Sequence, residues 1–174
     1  MNSSGRWLFA SFATLIAVAA CTAAGITGDD RAASASLLFK TPSLVQCPVN
    51  QTSTATAVVG PLGGLVSAGG TSINIPAGAL LSDQTVTVTV PQSNYMEVAI
   101  SVEGAQHFVF ELPVVVTLSY ARCSRGDIDR SPLSVWYIDS ESKELLEQMP
   151  SVDNKLTRTV TFTTGHLSGY AVAN

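Results

Sequence analysis

Charge is scarce in this 174-residue chain, with Asp, Glu, Lys and Arg together making up only 13%. Aromatics are few at 7%, and no run of Lys and Arg occurs anywhere. Without a basic run, phosphate contacts cannot anchor a nucleic acid, so no nucleic-acid partner is expected. No apolar stretch reaches the roughly 20 residues that a membrane-spanning helix needs. Helical spacing is also missing, apart from Ser142–Met149, where one short turn of helix is expected. With three Cys and two His, the chain has no paired-His site, and it contains no Gly-rich phosphate loop or hydrolase elbow. No metal, no cofactor and no enzymatic activity are therefore expected. What remains is 46% hydrophobic, enough to bury a core and to exclude disorder for most of the chain.

Part of that apolar content sits at the start. Arg6 is the only charge before position 21, and Leu8 to Ala20 runs thirteen residues without one. That length suits the apolar region of a secretory signal. Val18-Ala19-Ala20-Cys21 follows, and it resembles the bacterial lipobox, an aliphatic residue and small residues before a Cys. The resemblance implies removal of residues 1–20 and acylation of Cys21 with diacylglycerol and a further acyl chain such as palmitate. Several chains together hold a protein durably in a bilayer where one does not. An ordinary cleaved signal peptide, with Cys21 merely nearby, is the alternative. Thr22 after the Cys, rather than Asp, implies an outer-membrane destination in an organism that has one. Once Arg6 is gone, eight basic residues face thirteen acidic ones, a formal charge of −5. Attraction to anionic lipid is then absent, and membrane attachment falls to the lipid on Cys21.

Residues 21–43 are rich in Ala, Ser, Thr and Gly and read as a flexible tether. Leu37-Leu38-Phe39 could start a strand or a short helix, and the sequence leaves that open. Cys47 and Cys123 are an even pair in an exported protein. A disulfide is the economical reading, with two buried free thiols as the alternative.

From Thr54 onward the pattern has period two, interrupted by Gly60-Pro61, Gly63-Gly64, Gly69-Gly70 and Pro91. Strands are expected at 55–59, 62–67, 72–75, 85–90, 96–102, 108–110, 114–120, 133–138, 157–163 and 170–173. In Thr85–Val90 the three Val should face the core and the three Thr should face out. Residues 44–174 thus read as an all-β domain, a β-sandwich of short antiparallel strands.

Three segments carry a family resemblance. Gly63-Gly64-Leu65-Val66-Ser67, Thr71-Ser72-Ile73-Asn74-Ile75-Pro76-Ala77-Gly78-Ala79-Leu80 and Phe108-Val109-Phe110-Glu111-Leu112-Pro113-Val114 resemble the ZU-five (zonula occludens/Unc-five) domain. That domain occurs in ankyrins, netrin receptors and bacterial envelope proteins. The resemblance spans about residues 58 to 122 and implies a β-sandwich that binds or spaces without a small-molecule active site. His166-Leu167-Ser168 also looks like the self-cleavage tripeptide of ZU-five and related modules. There Ser168 would attack the preceding carbonyl, His166 would take its proton, and the Leu167–Ser168 bond would break. The other reading places the tripeptide in a last core strand, with His166, Ser168 and Tyr170 sharing a face.

Lesser signals are weighed against simpler readings. Arg125-Gly126-Asp127 matches an adhesion tripeptide but reads as loop, and Asp127 and Asp129 read as solvated rather than as half a calcium site. His107 is expected at a strand edge. Of Trp136 and Tyr137 one should be core and one exposed, and an exposed aromatic there could bind sugar. The expected function is a lipid-anchored envelope module that presents its sandwich to a protein or polymer. A self-cleaving module and a carbohydrate-binding surface module are the alternatives.

Overall fold

Alternating Val and Thr gives an extended chain one apolar and one polar face, and the apolar faces must be covered. The computed structural model describes residues 41–174, where eleven strands do this in two antiparallel sheets. The signal, Cys21 and nearly all of the tether lie outside the described residues. The strands are β1 (Ser53–Val59), β2 (Gly64–Ala68), β3 (Thr71–Ile75), β4 (Gln84–Val90), β5 (Glu97–Val102) and β6 (Val109–Ser119). After a short helix, α1 (Asp127–Arg130), come β7 (Ser134–Ile138), β8 (Leu145–Met149), β9 (Ser151–Asn154), β10 (Thr159–His166) and β11 (Gly169–Ala173). One sheet has the order β1-β4-β5-β11-β7-β8 and the other β2-β3-β6-β10-β9. The protein is an all-β sandwich.

The core is the set of inward positions from both sheets. Val86 and Val88 of β4, Ile73 of β3, Val114 and Val116 of β6 and Val160 of β10 are fully buried. Each buried Val contributes roughly 1.5–3 kcal/mol through removal from water. Across the outer face, Thr54 meets Thr89 and Thr56 meets Thr87 through their hydroxyls, at 3.3 and 3.0 Å. Thus the split of Thr85–Val90 into a core face and an outer face holds. The β2–β3 hairpin turns on Gly69 and Gly70, both with positive φ (55° and 83°), as a two-residue turn with twist-matched strands requires.

Several elements differ from expectation. Ser142–Met149 is not helical. Asp139 Oδ1 accepts hydrogen bonds from the Ser142 amide (2.7 Å), its hydroxyl (2.9 Å) and the Glu141 amide (3.0 Å), and these fold residues 139–144 into a turn. The same bonds hold the Asp139 carboxyl below its ordinary pKa. β8 then pairs with β7, so the backbone groups of β7 are satisfied on that side. β9 lies outside the expected strands, being four residues long and polar on one side. Segments 108–110 and 114–120 form one strand, β6, with a large bulge opposite Gly165, where Pro113 has no donor to offer and the Glu111 amide bonds Ala79 O instead (3.0 Å).

The start of the domain is stitched to its end. Ser43 exchanges backbone hydrogen bonds with Asn174 (3.2 and 3.0 Å), and the Val45 amide donates to Val172 O (2.8 Å). Two residues on, Cys47 is disulfide-bonded to Cys123, with Cα atoms 4.6 Å apart and both side chains buried.

Candidate functional site

His166-Leu167-Ser168 does not lie within one strand. β10 of one sheet ends at His166 and β11 of the other begins at Gly169, so the tripeptide is the crossing between sheets. The expectation of a single last strand is corrected on this point. Chain direction is set by pairing on both sides of the crossing. The Leu167 amide donates to Phe108 O and the Ile100 amide to Ser168 O, each at 3.1 Å.

A buried knot of polar groups holds the crossing. Tyr170, fully buried on the inner face of β11, packs against Phe162 of the opposite sheet with ring centroids 4.8 Å apart. Its hydroxyl donates to His166 O (2.6 Å) and shares a bond with Thr164 Oγ1 (2.9 Å). His166 Nδ1 lies 3.4 Å from the same hydroxyl, and the imidazole meets the Tyr137 ring edge-on at 5.6 Å. Burial pushes the Tyr170 phenol up to about 12. Among the described residues no hydrogen bond joins Ser168 Oγ to His166, and no positive φ strains residues 164–170. The geometry assigns His166 a place beside Tyr170 and Tyr137, and although Ser168 and His166 line one cleft, no hydrogen bond joins the two among the described residues.

Ser168 faces a cleft of ≈ 370 Å³. Its walls come from three separate parts of the chain: Ala105–Phe108 between β5 and β6 with Val109 at the start of β6, the β7–β8 turn at Ser140, and the crossing itself. Ala99 and Ser101 of β5 form part of the lining. Gly169 lets the β7–β8 turn come close, since a Cβ there would stand 2.6 Å from Ser140 Oγ. That turn also carries Lys143, whose ammonium bonds Glu97 Oε2 at 2.5 Å. His107 is exposed on this wall rather than at a strand edge.

Sequence similarity adds nothing to this site. No family model matches the chain, and no curated protein resembles it significantly. The ZU-five resemblance rests on the quoted residues alone. In the structure those residues form β2, β3 and the turn after it, where Gly78 has φ 83°, and β6.

The remaining candidates fall in different places. Trp136 and Tyr137 are both half-buried, so the division into one core and one exposed aromatic is corrected. Trp136 lies in register with Ala171 and Glu97, and its indole N–H donates to Ser134 Oγ (3.0 Å). Tyr137 lies in register with Tyr170 and reaches the cleft. Asp129 is not simply solvated, because Arg158 Nη1 pairs with it at 2.5 Å while Nη2 of the same guanidinium donates to Cys123 O (2.8 Å). No group of three metal-ligating side chains occurs among the described residues. Sequence reasoning missed the cleft, whose walls lie some thirty residues apart along the chain.

Proposed function

We propose that this chain is an exported lipoprotein, fastened by acyl chains on Cys21 and holding a ZU-five-like sandwich away from the membrane as a binding module for an envelope partner. What supports the anchor is the Val18-Ala19-Ala20-Cys21 sequence at the end of an uncharged run. What supports binding rather than self-cleavage is the crossing. His166, Thr164 and Tyr170 are engaged with one another, and among the described residues no base is bonded to Ser168 Oγ.

The test is metabolic labelling with palmitate in a bacterial host, followed by intact mass under denaturing conditions. Label on the wild type, its loss in Cys21→Ser, and a chain beginning at Cys21 and ending at Asn174 are expected. Unlabelled protein that retains residues 1–20 would sink the anchor. A peptide beginning at Ser168 would restore self-cleavage.

A further inference from the structure

The cleft beside the crossing is built for a ligand of a particular chemistry. No Asp, Glu, Lys or Arg is among its lining residues. A phosphate, carboxylate or metal ion entering it would give up hydration with no fixed counter-charge in return, the imidazoles of His107 and His166 being the lining's only basic groups. Yet the lining is not apolar. Ser101, Gln106, His107, Ser140 and Ser168 present side-chain donors and acceptors, and among the described residues none of these five side chains has a hydrogen-bond partner. Between them lie the rings of Phe108 and Tyr137 and the methyl of Ala105.

Side chains that both donate and accept, interleaved with ring and methyl surface, match a molecule with a rim of hydroxyls and faces of C–H. The volume of ≈ 370 Å³ lies near the low end of the roughly 300–1,000 Å³ of small-ligand clefts. It suits a short stretch of chain and is tight for a nucleotide cofactor. Two of its three walls are also fixed. Asp139 locks the turn carrying Ser140, and the crossing is held by Tyr170, so little ordering accompanies binding.

We propose that this cleft binds a neutral glycan, gripping a sugar unit between Tyr137 and the loop of Gln106 and His107. The inference rests on reading the domain as a binding module and names its ligand class.

The experiment uses the full chain with Cys21→Ser, screened by calorimetry against neutral oligosaccharides (chitotriose, cellotriose, maltotriose and mannotriose) and one acidic glycan, oligogalacturonate. At least one neutral trisaccharide is expected to bind. Gln106→Ala and His107→Ala, both at exposed positions outside the core, should each weaken binding up to about tenfold, the scale of one lost hydrogen bond. Tyr137→Ala should abolish it. Because Tyr137 packs on Tyr170 and its loss bears on folding, the two loop variants carry the decision, with Thr117→Ala on the outer face of the other sheet as the unaffected control. Absence of binding to every neutral glycan overturns the proposal, while the palmitate result stands or falls separately. Binding that the loop variants leave unchanged, preference for oligogalacturonate, or a protein captured at this cleft and not displaced by glycan overturns it equally.

Discussion

Breaking the Cys47–Cys123 disulfide tests how much of the domain's stability comes from constraining its unfolded chain. The bond joins residues 76 apart in sequence. Chain-entropy arguments give about 4.5 kcal/mol for a loop of that length near room temperature. A domain of this kind has roughly 5–15 kcal/mol in total, so the bond is a large share of it. The midpoint of thermal unfolding should fall by on the order of 15 °C on reduction. Contacts elsewhere limit the damage to the native state, since Arg122 still reaches Pro48 O and Tyr95 O without the bond. The assay is circular dichroism of the Cys21→Ser chain, heated with and without reductant and compared with Cys47→Ala/Cys123→Ala. Urea unfolding adds a second signature, because a more expanded unfolded state should steepen the denaturant slope. Before reduction neither thiol should react with an alkylating reagent. If reduced and oxidised proteins melt within a few degrees of each other, the entropic reasoning is wrong.

The phenols of Tyr120 and Tyr170 are both pushed from 10.0 up to about 12, mainly by burial, with the Asp153 carboxylate adding to the shift at Tyr120. Each stays protonated in the fold where the unfolded chain would ionise, so stability is full below pH 10 and declines as pH rises towards 12. Tyrosinate absorbance should show two late-ionising phenols, one fewer in each of Tyr120→Phe and Tyr170→Phe, and early ionisation of both would refute it. Glu97 is only 7% exposed and Lys143 is its partner, so Lys143→Met should destabilise by about 1–3 kcal/mol in urea. Glu97→Gln added to it should recover part of that loss, and simple additivity would count against the pair. Gly169→Ala drives a methyl into Ser140 Oγ and should lower the melting point, with Ser140→Gly restoring most of it. An unchanged melting point in the single variant would mean that the Ser140 hydroxyl rotates aside or that the β7–β8 turn yields.

The sequence makes β4 legible because Thr85–Val90 alternates without interruption, and local pattern alone assigns it two faces. The disulfide is legible by elimination, once Cys21 is set aside. β8 and β9 are not legible, since Leu145–Met149 and Ser151–Asn154 become strands by pairing with β7 and β10. Such pairing is non-local and leaves no periodicity in so short a stretch. Thr164–Ala173 misleads in the opposite direction. Its apolar spacing reads as one strand, although Gly165 and Gly169 flank the tripeptide and mark a change of course. The cleft is least legible of all. Gln106, Ser140 and Ser168 are unremarkable where they stand, and only strand order brings β5, β7 and β11 side by side.

Strand order also bears on how an anchored domain resists being pulled. If Cys21 holds the lipid, tension along residues 22–42 enters the fold at Ser43, whose backbone bonds go to Asn174 at the end of the last strand. Bonds in such a pair open one at a time, and each contributes a net of about 0.5–1.5 kcal/mol. Leu44 and Val45 would peel from Ala173 and Val172 under modest force, uncovering the β11 edge that they pair with. Four residues in from Ser43, peeling meets Cys47. There the force passes through a covalent bond to Cys123, just beyond β6, and Arg158 ties Cys123 O to Asp129. The disulfide therefore stands where a tethered sandwich would otherwise unravel first, and it transfers the pull from an edge of paired backbone into the centre of the opposite sheet.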